Sequence, residues 1–194
     1  MRRLRHEISG VAFALSLGLA LSICGDLQSA EPQSIQSFVA LKEKWPEFAR
    51  ARLPFRVEGR YAFVTRKAIR FENCDLQFAP AAGAELPRLA GQSRTAEVAG
   101  RLVQGDDGKI AFVVEELRER PSDLEVVRAR RAEIVRRGEA EPWYDLGEWV
   151  AGRAEFYRDD ELRREADAAN VEGLQIERND LPPGDISARF NLAR

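Results

Sequence analysis

The stretch from 94 to 117 constrains the fold most, because both of its arms alternate between apolar and polar residues. Such alternation places one side of each strand against a core and leaves the other side toward solvent. The inward positions are Ala96, Val98, Gly100 and Leu102 on the first arm and Ile110, Phe112 and Val114 on the second. The run Gly105-Asp106-Asp107-Gly108 between them tolerates positive φ, so the segment predicts a β-hairpin.

Three further strands are predicted before this hairpin. Residues 55–63 alternate in the same way, with the inward set Phe55, Val57, Gly59, Tyr61 and Phe63. A turn at Arg66 and Lys67 leads to a second strand over 68–72, with Ile69 and Phe71 inward. Leu76 and Phe78 mark a third short strand, and the proline-containing segment 79–93 is predicted to be a loop.

Five short strands, with Val57-Glu58-Gly59-Arg60 in the first and Val98-Ala99-Gly100-Arg101 in the fourth, resemble the OB-fold over residues 53–119. The resemblance implies a small barrel that binds ligands on strands two and three and on the loops after strands one and four. The residues at those positions are Thr65, Arg66, Lys67, Arg70, Glu72, Asp106, Asp107 and Lys109. A β-sandwich is the alternative architecture for this region.

Helical patterns flank the strands. Residues 31–52 are interpreted as a linker followed by a short amphipathic helix, which starts near Ser34, ends before Pro46 and covers the β region. After residue 120, Ser122 and Glu125 form a capping box for a helix over about 123–137. The predicted fold class is therefore α+β, a small OB-like barrel of about five strands followed by a helical region, 120–194.

The helical region resembles a degenerate tetratricopeptide unit, because Trp143-Tyr144-Asp145-Leu146-Gly147 matches the W-x2-L-G opening of that repeat. Pro142 suits the first turn of its first helix, which is predicted over 143–157. Asp159 is predicted to cap the second helix, ending near Asn170, and Trp143 and Trp149 are expected to fasten this αα-hairpin to its neighbours. A last helix with Ile186 and Phe190 is predicted near the C-terminus.

Residues 1–30 have the layout of a secretory signal peptide. Three arginines precede a charge-free apolar run over 11–23, which is shorter than the roughly 18–20 residues of a spanning helix. Cleavage after Cys24 or after Ala30 fits the small residues there, and lipidation of Cys24 is an alternative. The mature protein is therefore predicted to be periplasmic or secreted, with membrane contact only through an uncleaved signal or a lipidated Cys24.

Removal of the signal peptide would exclude several kinds of catalytic and metal site from the mature chain. The single histidine, His6, lies in the predicted signal, so the mature chain has no Ser-His-Asp triad, no Cys-His pair and no His-ligated metal site. No catalytic residue, metal ligand or cofactor is predicted. Cys74 is left without an intramolecular partner and is expected to be buried.

Charge argues against a nucleic-acid partner. The chain has 30 basic and 32 acidic residues, and the signal takes away three arginines and two acids, which leaves 27 and 30 and a net charge of −3. Nucleic acids are bound by concentrated positive charge. A basic helix carrying Arg128 and Arg131 is a candidate contact for an anionic partner, although a solvated face is the simpler interpretation.

The arrangement of a signal, V-x-G-R barrel strands and W-Y-x-L-G-x-W helices resembles a secreted family of planctomycete-type bacteria, a resemblance that implies no activity. The sequence favours a non-enzymatic interaction or scaffold protein of the cell envelope that binds a protein or envelope component. A carboxylate-based hydrolase built on Asp159, Asp160 and Glu161 is the alternative, followed by an OB-type binder of single-stranded nucleic acid.

We expect export to remove the N-terminus. N-terminal sequencing of the native protein should give a start at Gly25 or Glu31, or at a lipidated Cys24, because these positions follow the charged segment and its apolar core. A native chain that begins at Met1 or Arg2 would contradict this prediction.

Overall fold

The computed structural model describes residues 31–182 and 184, so the predicted signal peptide and the last predicted helix lie outside the described residues. The strands are β1 (Gln33–Ser34), β2 (Pro54–Val64), β3 (Ile69–Phe71), β4 (Gln77–Pro80), β5 (Thr95–Gln104) and β6 (Ile110–Arg120). The helices are α1 (Ile35–Ala40), α2 (Trp45–Ala51), α3 (Asp123–Ile134), α4 (Glu141–Tyr157) and α5 (Asp160–Asp180).

Five of the strands close into a barrel in the order β2-β3-β4-β6-β5, with β5 pairing back onto β2. The pairs are antiparallel except that β4 and β6 run parallel. The two-residue strand β1 adds in parallel to β2 beside Val57 and Glu58. The predicted α+β class, an OB-like barrel followed by helices, is confirmed.

The hairpin that the sequence predicts is the pair β5–β6. Its turn is closed by hydrogen bonds from the Gly105 and Gly108 backbone N–H groups, and Gly108 has a φ of 77°. The register shifts between Ala99 and Gly100, where the backbones approach so closely that a Cβ atom on Gly100 would lie 2.0 Å from the Val113 carbonyl oxygen. Glycine is therefore required at this position of the barrel.

Strand β2 contains a second irregularity, between Tyr61 and Phe63. A β-bulge inserts one residue and so reverses the side to which the following side chains point. The prediction that Phe63 faces inward is wrong for this reason: its side chain is 47% exposed, and Val64 packs against the core instead.

The N-terminal helices close part of the barrel. Ile35, Phe38 and Trp45 are buried in the same core as the barrel strands, and the Phe38 ring stacks on Trp45 at a centroid distance of 5.1 Å. The prediction of one helix that ends before Pro46 is wrong. Two short helices are joined by a 3-10 turn, and Pro46 lies in the first turn of α2, where its missing N–H has no intrahelical partner to lose.

The C-terminal helices build a second hydrophobic core around Trp143, Leu146, Val150 and Leu162. The capping box at Ser122 and the cap at Asp159 both form as predicted. Helix α5 does not end near Asn170 but continues for ten more residues, since Ala169 and Gly173 remain buried against α4. No helix among the described residues is long and apolar enough to cross a membrane.

The tryptophans and Cys74 occupy structural positions. Trp143 is buried, and Trp149 is half-buried under the guanidinium groups of Arg130 and Arg153. Cys74 is a free thiol that is 3% exposed in the barrel core, as expected from the apolar residues near it. Burial raises the pKa of this thiol, because the thiolate loses hydration there.

Two glycine-to-alanine substitutions should have opposite effects. Gly100→Ala should lower the free energy of unfolding by about 3 kcal/mol, because the new Cβ meets backbone that cannot move without disturbing the β5–β6 pair. Gly152→Ala, in the middle of α4 with no atom nearer than 4.0 Å, should raise it by about 0.5–1 kcal/mol. Urea denaturation measures both changes. If Gly100→Ala lowered the free energy of unfolding only slightly, the close approach of the backbones in the barrel would be wrong.

Candidate ligand-binding surface

The barrel and the C-terminal helices have separate hydrophobic cores, although Phe156 and Tyr157 at the end of α4 pack against the barrel core. An ion-pair network also joins the two parts. The network contains four arginines and four carboxylates, so it is electrically neutral. Its members are Arg56, Arg60, Arg120, Arg153, Glu58, Glu97, Asp123 and Asp159. They come from the outward side of β2, β5 and β6 and from the start or end of each C-terminal helix.

Arg60 is the residue that joins strand and helices most directly. Its Nε donates to Asp123 Oδ2 at 2.8 Å, and its Nη1 donates to Asp159 Oδ2 at 2.6 Å. Its backbone N–H donates to the Tyr157 hydroxyl at 3.0 Å, and its Cζ lies 4.6 Å from the centroid of that ring. A single strand position therefore contacts the first residue of α3, the last residue of α4 and the cap of α5.

The other ion pairs offset the repulsion between two carboxylates, those of Glu58 and Glu97. Glu58 and Glu97 stand directly opposite each other on β2 and β5, an arrangement that destabilises a sheet unless cations lie between the carboxylates. Arg120 provides one such cation, with its Nε 3.2 Å from Glu58 Oε2 and 3.6 Å from Glu97 Oε2. Arg56 pairs with Glu97, and the buried Arg153 reaches Glu58 at 3.5 Å.

The network determines what Asp159 can do chemically. Burial alone would raise the pKa of this carboxyl, but the hydrogen bonds from Arg60 and from the Leu162 backbone outweigh burial and lower it. A general acid needs a raised pKa so that it still carries its proton near neutral pH. Asp159 is thus held as an ionised cap and ion-pair partner.

A polar cleft of about 340 Å³ opens beside the network. It is bordered by Arg60, Glu72, the segment 91–95, Ser122, Leu124 and Asp159. Most of its polar groups are already engaged: the Ser93 hydroxyl bonds to backbone at Thr95, and Ser122 belongs to the capping box. Most hydrogen-bonding groups of this cleft therefore bind other parts of the protein, and few are left for a ligand.

The predicted residues Arg66, Lys67 and Arg70 do lie together, in the turn after β2 and on β3. All three are exposed, and Arg66 pairs with Glu85 at 3.1 Å. Across a cleft of about 360 Å³ from Arg66 lies Arg88, which also is exposed. Among the described residues, Lys67, Arg70 and Arg88 form no ion pair, so their charges are available to a ligand.

The bulge adds an aromatic ring to this basic group. Phe63 and Arg70 are direct cross-strand partners on β2 and β3, and partners in a sheet point to the same side. Phe63, Arg66, Lys67, Arg70 and Arg88 are called the β2–β3 surface below. Sequence reasoning missed Phe63 because strict alternation assigned it to the core; a bulge is not visible in that pattern.

The two predicted residues on α3 belong elsewhere. Arg131 Nη1 donates to Glu165 Oε2 at 2.8 Å, and its Cζ lies 5.7 Å from the centroid of the Trp143 ring. Arg131 therefore ties α3 to α5 and α4, and the interpretation of it as a ligand contact has no support from this geometry. Arg128 is exposed on the same helix and is not part of the β2–β3 surface.

No protein-family model, no curated protein and no solved structure matches this chain. The resemblance to a secreted bacterial family thus stays a prediction. Within the described part of the chain, no cluster of three or more cysteine, histidine or carboxylate side chains is arranged to hold a metal ion.

The lowered pKa of Asp159 predicts a pH-dependent stability. An Asp whose folded pKa lies below its unfolded value of about 3.9 stabilises the protein above that pH and loses this effect as the pH falls. Asp159→Asn should therefore be less stable than wild type in urea at pH 7, and the difference should shrink toward pH 3.

The neighbouring Asp160 offers a matched control, because its side chain is 80% exposed and pairs with Arg163 on its own helix. Asp160→Asn should change the unfolding free energy by less than about 0.5 kcal/mol. Equal effects of the two substitutions, or a gap between Asp159→Asn and wild type that does not depend on pH, would contradict the role given to Asp159.

Proposed function

We propose that this protein is an exported, non-enzymatic interaction protein of the bacterial cell envelope, and that it holds its partner on the β2–β3 surface. The observation that carries the proposal is the pair of Phe63 and Arg70: an exposed ring lies directly across from an arginine that has no ion-pair partner in the described part of the chain. Arginine and aromatic residues are the types that contribute most binding energy at interfaces.

The contrast along β2 supports this choice. Three outward residues of the strand, Arg56, Glu58 and Arg60, are paired in the network and covered. Past the bulge the outward side chain is apolar and exposed, and among the described residues the nearby Lys67, Arg70 and Arg88 form no ion pair. Bulges are frequent where a strand must re-aim a side chain toward a binding site, and the turned Phe63 fits that use.

The alternative of a carboxylate hydrolase has less support. Its candidate carboxylates were Asp159, Asp160 and Glu161, at the start of α5. Asp159 is bonded to Arg60 and to two backbone N–H groups, and Asp160 pairs with Arg163. These are contacts that begin a helix and join it to the barrel.

Single-stranded nucleic acid is the second candidate partner, because an exposed ring beside cations also is how OB-type domains stack bases. The net charge of −3 after removal of the signal opposes it, as does the predicted export. A direct comparison of ligands separates the two candidates.

The test is co-sedimentation of the labelled full chain with native cell-envelope fragments. Phe63→Ser/Arg70→Gln should weaken retention at least tenfold, which corresponds to the loss of about 1.4 kcal/mol of binding free energy. Because both side chains are exposed, the melting temperature should stay close to that of wild type.

Val171→Ser/Arg178→Gln is the matched control, since it removes a half-exposed apolar residue and an exposed arginine from α5. This variant should be retained like wild type. The proposal is wrong if wild type is not retained, or if both variants lose retention equally. Retention by single-stranded oligonucleotides but not by envelope fragments would favour the nucleic-acid candidate.

A further inference from the structure

A second basic cleft lies at the other end of β2, between α2 and β5. It has a volume of about 420 Å³ and is bordered by Ala49, Arg50, Arg52, Arg101, Val103 and Gln104. Arg101 is the cross-strand partner of Pro54, ten residues before Val64, so the cleft is roughly 30 Å along the strand from the β2–β3 surface. The two surfaces are therefore separate.

Two of the three arginines give this cleft a positive charge. Arg101 is bonded to Glu115 through its Nε at 2.8 Å, and no ion pair forms with Arg50 or Arg52 among the described residues. Two uncompensated charges thus face one cavity. The carbonyl end of α2 lies beside Arg50 and Arg52 and offsets part of their positive charge, but it carries only about half a unit of negative charge.

Two of the guanidinium groups are held in place. Arg50 Nε donates to the Pro46 carbonyl oxygen at 3.3 Å, a bond that leaves the donors of its two terminal nitrogens for a ligand. Glu115 fixes Arg101 in the same way from β6. Guanidinium donors that are fixed before a ligand arrives lose less entropy when they bind it, and their forked geometry matches two oxygens of one anion.

We propose that the cleft of Arg50, Arg52 and Arg101 binds a phosphate-type oxyanion. The cavity is larger than a bare phosphate needs, so the anion would carry an organic group. Leu53, which follows Arg52 directly, is 42% exposed. An apolar side chain next to arginines is a pattern that anionic membrane surfaces attract, so a lipid headgroup and a soluble organic phosphate are both sources of this chemistry.

The experiment has two arms, both with the full chain. The first measures binding of inorganic phosphate and glycerol phosphate by calorimetry at low salt. The second measures co-sedimentation with vesicles of phosphatidylglycerol and, for comparison, of neutral phosphatidylcholine. Binding in the first arm assigns a soluble phosphate, and binding to the anionic vesicles alone assigns a headgroup.

Arg50→Gln/Arg52→Gln should reduce binding more than tenfold in whichever arm wild type binds. Each arginine removed should weaken binding about fivefold. Arg164→Gln/Arg178→Gln makes the same change in net charge with two exposed arginines of α5, and should bind like wild type. Absence of binding in both arms, equal loss in the two double variants, or equal binding to neutral vesicles would overturn the proposal.

Discussion

Two carboxylates that face each other across neighbouring strands, Glu58 and Glu97, are the constraint on which the junction of this protein depends. Left alone they would repel, and Glu97 is 3% exposed, so water cannot screen it. A buried charge is tolerated when it is paired and hydrogen-bonded. Arginines from β2, β6 and α4 meet this need, and in doing so they connect the sheet to the helices. No buried polar side-chain atom in the described part of the chain lacks a partner.

This arrangement divides the outer side of the barrel into a structural part and a part left for binding. Where the C-terminal helices meet the sheet, the charges cancel in pairs. Beyond them, Lys67, Arg70 and Arg88 near Phe63 form no ion pair within the described residues, and at the far end of β2 the same holds for Arg50 and Arg52. Export and envelope localisation stay predictions. The fold itself shows that the charged side chains in the middle of β2 are paired, whereas several cations near its two ends are not.

Features set by neighbours in the sequence could be predicted. The β5–β6 hairpin, the capping box at Ser122 and the cap at Asp159 follow from alternation or from side chains three residues apart. The outward turn of Phe63 could not be predicted, because one inserted residue breaks the alternation without any change in composition.

The candidate site was predicted in part for the same reason. The proximity of three residues could be predicted from the sequence because they belong to one turn and the strand after it: Arg66, Lys67 and Arg70. The network could not be, because Arg60 meets Asp123 and Asp159 across 63 and 99 residues. The sequence favours a solvated face for the basic helix that carries Arg131, but its ion-pair partner in the fold, Glu165, is 34 residues away. Long-range pairing of that kind depends on the folded chain.

Native-state hydrogen exchange of wild type and Arg60→Gln tests most directly whether the network joins the barrel to the helices. In wild type the amides of β5 and of α4 should open with the same free energy, as one cooperative unit. In Arg60→Gln the opening free energy of α4 and α5 should fall below that of β5. If α4 already opens independently in wild type, or if the substitution lowers both regions equally, the network is not what couples the two cores.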